Sequence, residues 1–191
     1  MDVNVDKKKL YDALSHFQGV VEKRNTIPIL SNLKLKALEG KLEITATDLA
    51  LEISESIFAN INKSGELTIP SQLLYDIVRK APEKSKIEMR EESDSGQVFI
   101  FFGDSKFSLP YLPTSDFPEM QEENLENNFE LDAKKFRYLI NDCKFSMGLD
   151  ESRLYLNGIY LHQNDQYLVS VATDGHRLSK CQVIKENSFK D

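Results

Sequence analysis

The stretch Ala172-Thr173-Asp174-Gly175-His176-Arg177-Leu178 begins with three residues that also stand at 46–48, 126 positions earlier. At the same shift, six more residues of the first copy meet an identical residue in the second: Asp6, Lys8, Lys9, Leu30, Leu35 and Leu42. One apolar helical face also recurs, because Leu10, Leu14, Phe17 and Val21 fall on Phe136, Ile140, Cys143 and Met147. Such a repeat predicts that one large structural unit is written twice.

A shorter repeat lies inside the first one. Leu10-Tyr11-Asp12 recurs as Leu74-Tyr75-Asp76, a shift of 64 positions, and each copy follows a short strand pattern. The larger unit is therefore predicted to hold two strand–helix–strands units in tandem. A fourth helix would begin a few residues beyond the last position, 191, so we expect a fragment of a longer protein.

Length and composition are typical of a globular protein with one or two domains. Of the 191 residues, 40% are hydrophobic and 29% are charged. No apolar run approaches the ~18 residues of a membrane helix, and the N-terminus lacks the features of a signal peptide. We therefore expect a cytoplasmic protein without a membrane partner. Its two cysteines are expected to be free thiols, and no ligand spacing predicts a metal or another cofactor.

Charge is distributed unevenly along the chain, whose formal net charge is −7. Three segments with helical patterns, 6–24, 71–86 and 132–144, each carry two more basic than acidic residues, and the remainder is strongly acidic. This asymmetry favours an anion at the helical face. The alternative is that the lysines only solvate the polar faces of the helices.

Hydrophobic periodicity predicts three helices separated by strands. The helices are expected at about 6–17, 71–81 and 132–143, with Asp6 capping the first and Pro70-Ser71 capping the second. Alternating segments between them predict strands, and Glu39-Gly40 predicts a hairpin turn. The chain is therefore assigned to the α+β class, with tandem β-α-β-β-β units and helices on one face of antiparallel sheets.

An acidic segment separates the two copies of the large repeat. Residues 115–130 contain six acidic residues, no basic one and no visible periodicity. We predict a linker at 121–130. It would join a first domain at 1–120 to the beginning of a second domain at 131–191.

The cluster of Asp174, His176 and Arg177 invites a catalytic interpretation with His176 as general base. No nucleophile accompanies it, and the first copy continues with Leu49-Ala50-Leu51 after the same Thr-Asp pair. A turn capped by the Thr and Asp side chains is therefore the preferred interpretation. Where the copies differ, Gly175-His176-Arg177 is typical of a recognition surface.

A second candidate is the basic loop Lys23-Arg24-Asn25, which follows the first predicted helix. Beside a basic helix this loop could hold phosphate, and a solvated loop is the alternative. The sequence contains no glycine-rich phosphate cradle and no base-reading motif. Any binding of nucleic acid is therefore predicted to be independent of sequence.

Six segments in the same order resemble the bacterial DNA polymerase III beta subunit, the replicative sliding clamp. They are 26–33, 45–49, 112–118, 145–147, 156–158 and 171–178. Together they reach across nearly the whole chain. The last of them, Val171–Leu178, is highly specific to that family.

The resemblance implies a sliding-clamp fold and a ring of two subunits with three similar domains each. Helices line a hole for duplex DNA, and sheets form the outer wall. Such a protein is a DNA polymerase processivity factor without catalysis of its own. Its expected partners are duplex DNA of any sequence, a second subunit when full length, and, through short linear motifs, the polymerase III catalytic subunit, the clamp loader and repair polymerases. The chain would end partway through the second domain, so its partner pocket and its ring would both be incomplete.

The resemblance also implies roles for individual residues. The partner-motif pocket would include Leu156, Thr173, Gly175, His176, Arg177 and Leu178. A DNA-contacting loop would include Lys23 and Arg24. The edge strand that meets the other subunit would include Lys106, Phe107 and Leu109. Two DNA-contact positions depart from the family pattern, Gln72 and Asp150, and they motivate an alternative function as a clamp-fold scaffold that does not encircle DNA.

Overall fold

The structure is a computed structural model, and it describes residues 1–21, 27–92, 95–118, 129–164 and 166–184. The chain divides into two units, Met1–Gln121 and Glu122–Asp191. The elements of the first unit are β1 (Asp2–Asp6), α1 (Lys7–His16), β2 (Asn32–Leu38), β3 (Lys41–Thr47), β4 (Glu52–Phe58), β5 (Asn60–Lys63), β6 (Gly65–Pro70), α2 (Ser71–Lys80), β7 (Lys86–Glu92), β8 (Gln97–Phe102) and β9 (Ser105–Pro110). Those of the second unit are α3 (Ala133–Asn141), β10 (Tyr160–Gln163), β11 (Tyr167–Thr173) and β12 (Leu178–Ile184).

Two antiparallel sheets form the body of the first unit. Their strand orders are β5-β1-β7-β8-β9 and β4-β3-β2-β6. Helices α1 and α2 pack against each other, and they also contact strands β1, β4 and β6. At the β2–β3 hairpin Glu39 and Gly40 have φ of 51° and 76°, as the favoured two-residue turn requires. The predicted α+β class and this predicted hairpin are confirmed.

Helix α1 begins where the sequence predicts and buries the predicted face. Asp6 is its N-cap, and the Asp6 carboxylate accepts hydrogen bonds from the backbone N–H groups of the second and third helical residues. The side chains of Leu10, Leu14 and Phe17 are completely buried. In α3 the carboxylate of Asp132 caps the helix in the same way.

Helix α2 begins differently from the other two helices. The predicted cap, Pro70-Ser71, is wrong, because Pro70 stands at the N-cap position and supplies no side-chain hydrogen bond. Ser71 is already the first helical residue, so its hydroxyl is not placed as an N-cap acceptor.

A tyrosine pair joins α1 to α2 at the two positions of the 64-residue repeat. The rings of Tyr11 and Tyr75 stack with centroids 5.4 Å apart, and their hydroxyl oxygens lie 3.1 Å apart. The ammonium group of Lys7 lies 5.1 Å from the Tyr11 ring, and the guanidinium of Arg79 lies 5.7 Å from the Tyr75 ring. The two tyrosines related by the short repeat therefore contact each other, whereas the cations beside them do not stand at equivalent positions.

The described part of the second unit is a three-stranded antiparallel sheet, β10-β11-β12, with α3 packed on β11 and β12. Both cysteines are free thiols, as predicted. The Sγ atom of Cys143 lies 3.2 Å from the hydroxyl of Ser170. Burial, and then a hydrogen bond to Cys143, raises the pKa of Cys181, so the two thiols are neighbours although the sequence places them in unlike contexts.

Within the described residues, no helix has the length and apolar character needed to cross a membrane. Among the same residues, no group of three or more His, Cys, Asp and Glu side chains is arranged to hold a metal ion.

Candidate functional site

The corner between β11 and β12 is built by the side chains of Thr173 and Asp174. The Thr173 hydroxyl accepts a hydrogen bond from the Gly175 N–H (3.1 Å) and donates one to the Arg177 carbonyl (2.7 Å). One carboxylate oxygen of Asp174 accepts from the backbone N–H groups of His176 and Arg177, both at 3.0 Å. Two short side chains therefore satisfy the backbone of a tight turn.

The first unit contains the same corner between β3 and β4. There the Thr47 hydroxyl accepts from the Leu49 N–H at 3.0 Å. The Asp48 carboxylate accepts from the N–H groups of Ala50 (2.9 Å) and Leu51 (2.7 Å). The predicted role of the Thr-Asp pair as a structural turn is confirmed in both copies.

One position of this corner has a left-handed backbone in both copies. Its φ is 77° at Leu49 and 90° at Gly175, a region in which a side chain with a Cβ is strained. A Cβ on Gly175 would also lie 3.3 Å from a guanidinium nitrogen of Arg153. Glycine in the second copy therefore removes backbone strain and lets Arg153 approach the corner.

The carboxyl group of Asp174 is held in its ionised form. Its pKa falls to about 2, first because of the backbone N–H groups of His176 and Arg177 and to a lesser extent because of the Arg177 guanidinium. The second carboxylate oxygen accepts from the Arg177 Nε at 2.9 Å. Both carboxylate oxygens of Asp174 therefore bond within the turn itself, which agrees with the structural interpretation of this residue.

The pH dependence of the corner follows from this lowered pKa. Ionised Asp174 stabilises the fold above its unfolded pKa, and this contribution is lost as the pH falls from about 4 towards 2. We expect an NMR titration of the Asp174 carboxyl carbon to give a pKa of about 2. Replacing Arg177 by alanine should raise that pKa only part of the way, because the backbone donors remain. A pKa near 4 in the unmodified chain would contradict this account.

Arg153 links the corner to the 3-10 segment that holds Leu156. Thr173, Gly175, His176, Arg177 and Leu178 belong to the corner itself, whereas Leu156 ends the 3-10 segment Glu151–Leu156 that contains Arg153. The Leu156 carbonyl accepts a hydrogen bond from the Gly148 N–H at 2.9 Å. Because Arg153 lies against Gly175, this segment and the corner border one surface.

This surface is apolar and cationic. Leu178 is 65% exposed, and Leu154 and Tyr155 of the neighbouring segment are 72% and 81% exposed. The guanidinium of Arg177 lies 5.8 Å from the centroid of the Phe145 ring, a cation–π distance. Exposed apolar side chains beside an immobilised Arg are typical of a protein-binding surface.

Sequence reasoning missed Arg153, Leu154 and Tyr155 as site residues. At the shift of 126 they align with Ile27, Pro28 and Ile29, and this alignment carries no signal for a binding surface. Of these counterparts Ile29 is only 6% exposed. Ile29 packs with Leu30 and Phe117, so the exposure of the two copies at this position is not directly comparable.

The expected DNA-contact loop cannot be placed, since Lys23 and Arg24 lie outside the described residues. The two departing positions are engaged inside their own elements. The Gln72 amide donates to the Asp76 carboxylate at 3.0 Å. Asp150 accepts from the Ser152 N–H at 2.9 Å, and hydrogen bonds from the Ser152 hydroxyl and backbone lower its pKa.

The expected subunit-contact strand, β9, lies at the edge of the five-stranded sheet. The Lys106 ammonium lies 4.1 Å from the Phe99 ring centroid, and the Phe107 ring stacks on Phe102 with centroids 5.4 Å apart. Leu109 is different, because its side chain is 6% exposed and belongs to the core. Only the backbone of Leu109 remains available to a partner strand.

Comparison with known families finds two matches, which follow each other along the chain. The family model described as "DNA polymerase III beta subunit, N-terminal domain" matches residues 1–121. The model of the central domain of the same subunit matches residues 130–191.

Curated relatives and solved structures agree with the family matches. The beta sliding clamp of Caulobacter vibrioides (strain NA1000 / CB15N) is 40% identical over 187 residues, which cover 96% of this chain and 50% of the relative. That of Escherichia coli (strain K12) is 34% identical over 184 residues, with coverages of 96% and 50%. The chain spans about half the length of the curated relatives it matches.

Among solved structures, the sliding clamp from Bartonella birtlesii bound to griselimycin matches with a TM-score of 0.90 and 41% identity, over 97% of this chain and 50% of that one. The griselimycin-bound clamp from Pseudomonas aeruginosa matches with a TM-score of 0.92 and 36% identity, with the same coverages.

Proposed function

The chain belongs to the DNA polymerase III beta subunit family, and from this premise we propose that it is part of a ring-shaped processivity clamp. The ring encircles duplex DNA and tethers a replicative polymerase to it. The observation that carries this proposal is the match of two consecutive clamp domains, in order, over residues 1–121 and 130–191.

The proposed mode of DNA binding is topological. A ring stays on DNA because it is closed, so contacts with the backbone can be weak, water-mediated and independent of sequence, which permits sliding. The excess of basic residues in the helical segments supports this mode. We assign the DNA-contacting loop to Lys23 and Arg24. Gln72 and Asp150 add no positive charge, which is compatible with a ring that does not depend on tight contacts.

The proposed site for partner motifs is the corner with Leu156, Thr173, Gly175, His176, Arg177 and Leu178. Exposed Leu178 would receive an apolar side chain of a short linear motif, and Arg177, fixed by Asp174, would orient its backbone or its carboxylates. The polymerase III catalytic subunit, the clamp loader and repair polymerases are the proposed partners. Two griselimycin-bound clamps among the matched structures support a ligand-binding surface in this family.

The proposed subunit contact is β9, the edge strand of the first unit. An edge strand offers unpaired backbone donors and acceptors to a strand of a second subunit. Lys106 and Phe107 would contribute their side chains, and Leu109 only its backbone. In this proposal the protein is a homodimer and performs no catalysis of its own.

Primer extension by the cognate polymerase, with the clamp loader and the native protein, tests the proposed function. We expect Arg177→Ala to weaken binding of a partner-motif peptide about tenfold or more, the loss typical of a hot-spot residue, and to shorten the DNA products. The matched control is Leu51→Ala, which truncates the equivalent corner residue of the first unit. Extension that is insensitive to the native protein would refute the proposed function. Equal loss of peptide binding in Arg177→Ala and Leu51→Ala would refute only the assignment of the pocket.

A further inference from the structure

Cys143 and Cys181 meet on one face of the sheet in the second unit. Cys181 of β12 stands directly opposite Ser170 of β11, so both side chains project to the same face, about 4.5–5.5 Å apart at Cβ. The Ser170 hydroxyl donates to the Leu139 carbonyl of α3 at 2.9 Å, which identifies this face as the one that α3 covers. The Cys143 Sγ atom lies 3.2 Å from the same hydroxyl. The two sulfur atoms therefore approach each other, one from the end of α3 and one from β12.

The two thiols are in contact and differ in their exposure. A hydrogen bond joins Cys181 to Cys143, and the Tyr138 hydroxyl also shares a hydrogen bond with Cys181. Burial raises the pKa of the Cys181 thiol, so it stays protonated at neutral pH and reacts slowly. Cys143 is completely buried, whereas Cys181 is partly exposed. A small oxidant therefore meets Cys181 first.

We propose that Cys143 and Cys181 are a redox modification site, at which a peroxide forms a reversible disulfide. The Cys181 sulfur attacks one oxygen of hydrogen peroxide, the O–O bond breaks, and the departing hydroxide takes the thiol proton, which leaves a sulfenic acid and water. The Cys143 sulfur then attacks the sulfenic sulfur, the S–O bond breaks, and the second hydroxide leaves with the Cys143 proton as water. The two sulfur atoms together lose two electrons, which the peroxide gains.

The disulfide would lie beside the corner between β11 and β12. Leu178, the first residue of β12, precedes Cys181 by three positions, and Ser146 follows Cys143 by three positions. The hydroxyls of Ser146 and Ser179 share a hydrogen bond, so the two segments already touch next to the thiols. An S–S bond of about 2.05 Å is shorter than a hydrogen bond between thiols. Oxidation would therefore draw the end of α3 towards β12 and shift the start of β12.

Treatment of the 191-residue chain with hydrogen peroxide tests this site. Intact mass should fall by the mass of two hydrogen atoms, both free thiols should disappear, and dithiothreitol should restore them. Proteolysis without reductant should release one pair of peptides that joins Cys143 to Cys181. A gain of oxygen at Cys181, a disulfide between two chains, or survival of both thiols in peroxide that oxidises the urea-unfolded chain would each overturn the proposal.

Two serine variants separate the roles of the cysteines. In Cys143→Ser the oxidised Cys181 has no thiol to react with, so its sulfenic acid should persist and be trapped by dimedone. In Cys181→Ser the buried Cys143 should remain a thiol under the same treatment. An equal yield of trapped sulfenic acid in the unmodified chain and in Cys143→Ser would contradict the proposal. The mass and the peptide pair of the unmodified chain decide it even where a variant folds poorly.

Backbone amides followed by NMR measure the effect of oxidation on the corner. The amides of Leu178 and Ser179 should shift when the disulfide forms and return with dithiothreitol. The amides of Ala50 and Leu51, at the equivalent corner of the first unit, are the internal control and should not move. Shifts of equal size at both corners would show general oxidation of the chain and contradict a local link. The site requires neither DNA nor a partner, so its failure would leave the proposed clamp function untouched.

Discussion

Replacement of Phe17 by alanine is expected to lower the free energy of unfolding of the first unit by about 3–5 kcal/mol. Phe17 follows α1, is completely buried, and is the largest of the fully buried side chains among the described residues. Its removal forfeits the transfer free energy of the ring and leaves a cavity at the centre of the core. Because this loss approaches the whole stability of many domains, the first unit should be partly unfolded at room temperature.

Hydrogen exchange of the strand amides in the first unit measures this effect separately from the second unit. The matched control is Phe58→Ala, since Phe58 is 72% exposed and its truncation should change the free energy of unfolding by no more than about 0.5 kcal/mol. A loss below about 1 kcal/mol for Phe17→Ala would show that Phe17 is not the core residue described above.

The second large effect is expected from exchanging the residues at the left-handed corner position. Gly175→Leu should destabilise the second unit by about 1–2 kcal/mol, because φ is 90° there and the new Cβ also crowds Arg153. Leu49→Gly should have the opposite effect and stabilise the first unit by up to about 1 kcal/mol. The relief of backbone strain is partly offset because glycine has more conformational entropy in the unfolded chain.

The decisive result is that the two substitutions change the free energy of unfolding with opposite signs. Hydrogen exchange of the β3 amides measures the change in the first unit, and that of the β11 amides measures the change in the second. Gly158→Ala is the matched control: a Cβ there meets nothing within 4 Å and φ is not positive, so stability should be unchanged or slightly higher. Destabilisation by Leu49→Gly comparable to that by Gly175→Leu would mean that the two corners do not share one backbone conformation.

The parts of the fold that the sequence predicts are those in which short-range chemistry decides the structure. Asp6 caps a helix because its carboxylate reaches two nearby N–H groups, and Glu39-Gly40 forms a hairpin because Gly40 readily adopts positive φ. The Thr-Asp corner was predictable for the same reason, and the 126-residue repeat showed that it is structural. These features depend on fewer than about six consecutive residues.

The parts that the sequence does not predict depend on contacts between distant segments. The buried state of Leu109 follows from the packing of β9 onto the core, which the alternation of β9 alone does not reveal. The approach of Arg153 to Gly175 joins two segments that are about 20 residues apart along the chain. The uncapped start of α2 was missed because Pro70-Ser71 has the composition of a helix start without the acceptor of a cap.

The repeat also separates the shared structure of the corner from the residues that differ between the copies. Both copies use the same Thr and Asp hydrogen bonds. Only the second copy follows them with Gly175, His176 and Arg177, and only there does the adjacent 3-10 segment present Leu154 and Tyr155 at the surface. The hydrogen bonds of the Thr-Asp corner therefore belong to the fold, and residues 175–177 are where the two copies differ.

The central proposal, that the native protein holds DNA by encircling it, is tested most directly by its retention on circular and linearised DNA. The protein is loaded by the clamp loader onto a nicked circular duplex, isolated by gel filtration, and the DNA is then cut once with a restriction enzyme. We predict that the protein elutes with the circle and is released within minutes of linearisation, since only topology holds it. Continued retention on the linear duplex, or no retention on the circle, would contradict the proposal.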